Sequence, residues 1–268
     1  MKALIYQCWD GTERPGNLAG VEAMAVYADR IGADHIYEHD PKFRTDLGSY
    51  SPNYGKFKPL FVDAYRDYDY VMYADCDVNP IDGLHENVFE QVADTSAEVG
   101  ICEEWNAPKA RLKHTIAGIN NTKDEKWVQI VEKKWHVKLP RTEDGEPKIY
   151  NTGVIVYSND GMTKCNERFF DFGEYVKLIR NHSLPPFYTC DQPFFHAMLE
   201  VCDLAWTTMD YKWNSSVHFD PGVKQHPRPV IDLRDNANFV HIQLGGADHW
   251  DADKIYRVTN LSVSEWNL

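Results

Sequence analysis

Two aspartates one residue apart, Asp75 and Asp77, close the apolar run Tyr70-Val71-Met72-Tyr73-Ala74. Carboxylates held that close at the end of a buried strand repel each other, and a cation between them removes the cost. Side chains alternate along a strand, so the two are expected to share a side as the strand ends. Such a pair suits Mg²⁺ or Mn²⁺, which take a few carboxylates and leave other positions to substrate phosphate oxygens. An ion held there neutralises charge developing on a departing diphosphate. The pattern alone is weak: with 25 Asp in the chain, roughly two Asp-x-Asp triplets arise by chance. Those present are Asp67/Asp69, Asp75/Asp77 and Asp251/Asp253, and only the middle one follows an apolar strand. The alternative is a pair of turn or cap aspartates ahead of Pro80.

A candidate third ligand is His241, at the end of the short apolar run Phe239-Val240-His241-Ile242. Imidazole suits Mn²⁺ better than Mg²⁺, and Gly245 and Gly246 just beyond let backbone approach a phosphate closely. A core histidine satisfied by hydrogen bonds is the competing account.

The elements that must position these residues follow from periodicity. Residues 2–9 alternate as a first strand, and Asn17 is expected to cap a helix with Leu18, Val21, Met24, Ala25 and Ala28 on its apolar face and Gly32 past its end. A short strand at 35–37, a polar loop over 40–54 and a helix over 56–65 precede the Asp75/Asp77 strand. Val99-Gly100-Ile101-Cys102 leads to Glu103 and Glu104. Thr122-Lys123-Asp124-Glu125 reads as a capping box for a helix to about Trp135, within a polar stretch, 106–147, expected to be an insertion serving as lid or acceptor region. The strand IYNTGVIVYS, broken by Asn151 and Gly153, is followed by helices over 163–181 and from Asp191, with Pro193 in the first turn of the latter. This alternation predicts an α/β fold with a mainly parallel central sheet flanked by helices, residues 1–268 forming one domain. Ligands collect beyond the carboxyl ends of such strands, where Asp75, Asp77, Cys8-Trp9-Asp10 and Glu103-Glu104 all fall.

Charge narrows the function. The chain has 28 Lys+Arg against 41 Asp+Glu, a net −13, which gives no electrostatic case for nucleic acid or an anionic membrane. An anionic substrate would need a metal or a local basic patch. No apolar stretch has the length of a membrane span or a secretory core, and the six cysteines show no zinc spacing, so the expectation is a reduced, cytoplasmic protein, with homo-oligomerisation left open. The 8 Trp and 15 Tyr are expected mainly in the core, with stacking on carbohydrate as the sharper alternative.

In this order, YDYVMYADCDV, IYNTGVIVYS, CDQPFFHAML and FVHIQLGGADHW resemble the motifs of glycosyltransferase family 8, the group containing glycogenin and bacterial lipopolysaccharide galactosyltransferases. The resemblance spans about residues 3–250 and implies the nucleotide-sugar-binding GT-A fold. It implies Mn²⁺ (or Mg²⁺) on Asp75, Asp77 and His241, donor-sugar contacts from Asn151 with Gly153, and Asp191 and Gln192 beside the reacting carbon. Asp191 also has the bland alternative of a helix N-cap. Lys58 matches a basic position ahead of the Asp-x-Asp strand in related transferases. The implied activity is retaining transfer of a hexose from a nucleotide diphosphate sugar, UDP-linked, to a hydroxyl of a glycan, lipid-linked or protein acceptor. One departure is plain: where the family carries Gly and then Lys-Pro-Trp, this chain reads Gly246-Ala247-Asp248-His249-Trp250, without the lysine. Two alternatives follow. One is a nucleotide-sugar or glycan-binding module that has lost turnover. The other is a metal-dependent phosphatase of haloacid-dehalogenase type with Asp75 as nucleophile.

Overall fold

The computed structural model describes residues 1–104, 119–219, 227–229 and 236–266. Strand β1 (Ala3–Trp9) is buried over most of its length and runs into helix α1 (Pro15–Ile31). Pro15 opens α1, where a missing N–H costs nothing, and Gly32 closes it at φ 72°. Asn17 does not cap: Arg14 holds that position without a side-chain bond, and Asn17 is buried inside the first turn. After β2 (Asp34–His39), the helix expected over 56–65 is replaced by two 3₁₀ segments, Ser51–Phe61 and Asp63–Asp67. Pro59, inside the first segment, lacks the N–H that a helix would use and crowds the turn before it, which accounts for the break from regular α-helix.

The chain continues through β3 (Tyr70–Ala74), β4 (Val78–Pro80), α2 (Glu90–Ala93) and β5 (Val99–Glu103). Helix α3 (Asn121–Trp135) is capped by the Asn120 side chain, which accepts from Lys123 N at 3.0 Å, so the capping box expected at Thr122 starts too late, inside the helix. This helix buries Trp127, Val128 and Val131 in the main core. The preceding residues 105–118, on which part of the lid or acceptor expectation falls, lie outside the described residues.

Next come β6 (Tyr150–Ser158), α4 (Asn159–Arg168), α5 (Phe172–Asn181) and α6 (Asp191–Val201). The single helix expected over 163–181 is two, because Asp171 caps a new start by accepting from Glu174 N at 2.9 Å. Strands β7 (Trp206–Met209), β8 (Ser215–Phe219), β9 (Pro227–Pro229) and β10 (Phe239–Ile242) and helix α7 (Ala252–Asn260) complete the described elements.

Six strands form the main sheet in the order β2-β1-β3-β6-β5-β7. The pairings β1 with β2, β1 with β3 and β5 with β7 are parallel, while β6 runs antiparallel to both neighbours. A second sheet, β4-β10-β8-β9, stands beside it. Both faces of the main sheet are covered, as the periodicity predicts for such a layer. One face carries Tyr54, Phe57, Phe194 and Phe195, and the other Met24, Tyr27, Phe89 and Trp213. Phe172 and Phe194 meet edge-on at 4.8 Å between centroids, so core packing is what most of these rings do.

Candidate active site

The two sheets are joined by the three residues between β3 and β4, and that link is Asp75-Cys76-Asp77. It is a turn, closed by Val78 N donating to Asp75 O at 3.1 Å, so the two carboxylates converge through a reversal of the chain rather than through strand alternation. The turn is tied down on both sides. Asp75 N donates to Gly153 O at 2.8 Å, and Ile242 N donates to Asp77 O at 2.9 Å. Antiparallel pairing of β10 on β4 sets His241 opposite Val78, one residue from Asp77. Ligand atoms of Asp75, Asp77 and His241 therefore all lie within 4.8 Å of one another. His241 Nε2 stands 3.2 Å from Asp77 Oδ1 and 4.0 Å from Asp75 Oδ2. The side chain of His241 is 4% exposed, while those of Asp75 and Asp77 keep 28% and 41%, which leaves oxygens facing a cavity. Two hard oxygens and one imidazole nitrogen are a donor set that fits Mn²⁺ and tolerates Mg²⁺.

Electrostatics here are coupled. Burial pushes His241 toward neutrality, but the attraction and hydrogen bond of Asp77 outweigh it and raise the imidazole above its ordinary value. Burial raises Asp77, and His241 reverses that to leave it low. Asp75 is raised, first by burial and then by the charge of Asp77, against the pull of Lys56.

Lys56 is the cation that the sequence did not single out. It sits on the 3₁₀ segment Ser51–Phe61, buried, with Nζ 2.6 Å from Asp191 Oδ2 and 3.3 Å from Asp75 Oδ1. The same ammonium donates to Thr152 O at 3.1 Å and lies 4.9 Å over the Tyr73 ring. Thr152 Oγ1 donates to Asp191 Oδ2 at 2.6 Å. Burial alone would raise the Asp191 pKa, but the Lys56 charge and hydrogen bond together bring it below its usual range, so it is ionised at neutral pH. Asp191 is not the helix cap, a place held by Cys190; its carboxylate is turned onto Lys56 and Thr152. Thr152 falls where the β5–β6 register shifts between Ile101 and Cys102, the kind of irregularity that re-aims side chains.

A cavity of about 330 Å³ opens over these groups. Asp75, Asp77, His241, Asn151, Asp191 and Gln192 line it together, which unites six of the residues singled out in the sequence. Gln192 donates to Glu104 at 2.8 Å at its edge. Gly153 lies directly behind His241: a Cβ there would stand 2.5 Å from Cε1, so only glycine leaves room for the ring. Lys58 is placed elsewhere, ion-paired to Glu38, which also accepts from Tyr6 OH. The lysine that lines the cavity is Lys56, two residues earlier. Gly245 and Gly246 fall outside the cavity lining; Gly246, at φ 86°, begins a 3₁₀ turn whose Ala247 carbonyl packs on Gly16 of α1. Sequence reading also missed Asn214 and Gln243, which flank His241, and nothing in the local pattern YKWNSS or HIQLGG marks them.

No protein-family model and no curated protein matches the chain. Solved structures do match in fold. A glycosyltransferase involved in the glycosylation of the major capsid of PBCV-1 aligns at 12% identity and TM-score 0.53, over 92% of this chain and 97% of its own. Mouse xyloside xylosyltransferase 1 aligns at 12% identity and TM-score 0.54, over 91% and 99%. The galactosyltransferase LgtC, in complex with donor and acceptor sugar analogs, aligns at 12% identity and TM-score 0.51, over 96% and 95%. The fold is thus the GT-A fold that the motifs imply, mainly parallel sheet and flanking helices included.

Proposed function

We propose that this chain, residues 1–268 acting as one domain, transfers a hexose from a nucleotide diphosphate sugar, UDP-linked, to an acceptor hydroxyl with retention. The observation that carries the proposal is the meeting of Asp75, Asp77 and His241 with the Lys56–Asp191 pair in one cavity, at the junction of two sheets. LgtC, which shares the fold, was captured with donor and acceptor sugar analogs. The acceptor is a glycan, a lipid-linked sugar or a protein.

Asp75, Asp77 and His241 would hold Mn²⁺ (or Mg²⁺), which would supply positive charge against a departing diphosphate. Lys56 keeps Asp75 and Asp191 oriented from beneath, so the carboxylates do not have to reorganise during reaction. Asp191 and Gln192 line the same cavity, and in this reading they face the sugar. An ionised Asp191 there stabilises cationic character at the anomeric carbon, which glycosyl transition states share. Asn151 lines the cavity between these groups, and Gly153 leaves the room that the His241 ring takes up.

A second reading, a nucleotide-sugar-binding module without turnover, is favoured by one observation. Among the described residues Lys56 is the one lysine or arginine lining the cavity, and its charge is already matched by two carboxylates, Asp75 and Asp191. Calorimetric titration of UDP and GDP, each with and without Mn²⁺, followed by a screen of UDP-sugars for slow hydrolysis, separates the two. Metal-dependent UDP binding with sugar release supports the transferase. Binding without release supports the module, and no binding of either nucleotide with Mn²⁺ present removes both.

A further inference from the structure

His241 touches a second network on its other ring nitrogen, and this network is anchored to backbone. The Gly153 N–H can only donate, and it does so to Asn151 Oδ1 at 2.8 Å. That fixes which end of the Asn151 amide is oxygen. Asn214 Nδ2 donates to the same oxygen at 2.9 Å, so Asn214 must turn its own Oδ1 the other way, where it lies 2.9 Å from His241 Nδ1. An oxygen facing Nδ1 accepts, so Nδ1 carries the proton. On the far side of the ring Asp77, Asp75 and the Gln243 amide all face Nε2. Asn214, Asn151 and His241 are 1%, 5% and 3% exposed, so water does not compete for these bonds.

We propose that Asn214 is a positioning residue that holds His241 in the Nδ1–H form, with Asn151 and the Gly153 N–H as its fixed reference. A neutral His241 then presents the Nε2 lone pair to the cavity as metal ligand. Metal-binding histidines are commonly set in this way by the partner of their second nitrogen, and loss of that partner lowers metal affinity. The inference rests on the metal reading of the site, and it gives Asn151 an orienting task besides any contact with sugar, since its Oδ1 is committed to Gly153 and Asn214.

The first test needs no variant. ¹⁵N spectra of the histidine rings in the metal-free protein, at a pH where His241 is neutral, should show a protonated Nδ1 and a bare Nε2; the reverse pattern overturns the proposal. In Mn²⁺ titrations followed by electron paramagnetic resonance, Asn214→Ala and Asn214→Leu should bind about 10- to 100-fold more weakly. Their ring spectra should also lose the Nδ1–H preference. Asp77→Asn serves as reference. If it abolishes Mn²⁺ binding while both Asn214 variants bind as the unmodified protein does, the relay is wrong and the metal site stands. If Asp77→Asn binds Mn²⁺ unchanged, or the unmodified protein binds none, the metal reading itself is removed.

Discussion

Lys56 is buried with both of its carboxylate partners, and a charge of that kind is held by pairing rather than by water. Lys56→Met leaves Asp191 and Asp75 without their cation, and we expect a loss of about 3–5 kcal/mol of stability, read from denaturant unfolding. Restoration of the stability by adding Asp191→Asn to the same variant would show the cost to be the stranded charge; no effect of Lys56→Met would show the pair to be dispensable. Asp191→Asn by itself keeps the shape and the Thr152 contact but removes the negative charge. It should retain metal-dependent nucleotide binding and lose turnover, measured by calorimetry and sugar release on one preparation. A lower melting temperature with turnover intact would reduce Asp191 to a structural anion. Asp77→Asn, in contrast, should abolish Mn²⁺-dependent nucleotide binding with the fold unchanged.

At the scale of elements, the site depends on how closely α1 and β6 approach the turn between β3 and β4. A Cβ on Gly20 of α1 would stand 2.1 Å from the Cys76 carbonyl, in the middle of the Asp75–Asp77 turn. Gly20→Ala must push helix and turn apart, at about 1–3 kcal/mol. Gly153→Ala meets the His241 ring instead, with Cβ 2.7 Å from Nδ1. Both variants should melt at lower temperature, and both should lose Mn²⁺ affinity because each moves a ligand. A Gly153→Ala protein with unaltered Mn²⁺ binding would show that the ring has slack that the packing does not reveal.

For the whole molecule the site's charge couples metal, pH and folding. Because Asp77 raises the His241 pKa, the metal-free ring below that pKa carries a second proton, on Nε2, that Mn²⁺ must displace. Mn²⁺ affinity should therefore rise with pH up to the folded His241 pKa and level off above it, with proton release measurable as buffer-dependent binding heat. Without metal the sign for stability is opposite. The His241–Asp77 pair contributes fully below the unfolded histidine value, about 6.5, and its contribution is lost as pH rises through the higher folded value. Asp191, held low, contributes above the unfolded aspartate value, about 3.9, and this part is lost as pH falls through its folded value. Saturation with Mn²⁺ and UDP should stabilise the fold by mass action, by about 2.7 kcal/mol at a hundredfold excess over Kd, seen as a higher melting temperature. At net −13, the surrounding field adds to the attraction for the cation and opposes the nucleotide.

Periodicity and punctuation are local signals, and they determined the alternating strands and helices, the end of α1 at Gly32, and Asp75/Asp77 at the close of a buried strand. The order of the motifs was enough to point to the GT-A fold, and the structure sets six of the residues named in those motifs around one cavity. Helix starts went astray where the choice lay between neighbouring polar residues, as with Asn17 against Arg14 and Thr122 against Asn120. Only tertiary structure decided which lysine serves the site. Lys56 and Lys58 differ by two residues on a 3₁₀ segment, and that rotation sends one to Asp191 and the other to Glu38. It also decided that β6 runs antiparallel between β3 and β5 and that Asn214 stands behind His241. These contacts join residues 27 to 135 positions apart, such as Asn214 with His241 and Lys56 with Asp191. No local pattern encodes a partner at that distance; it is set by which strands pair and in what register.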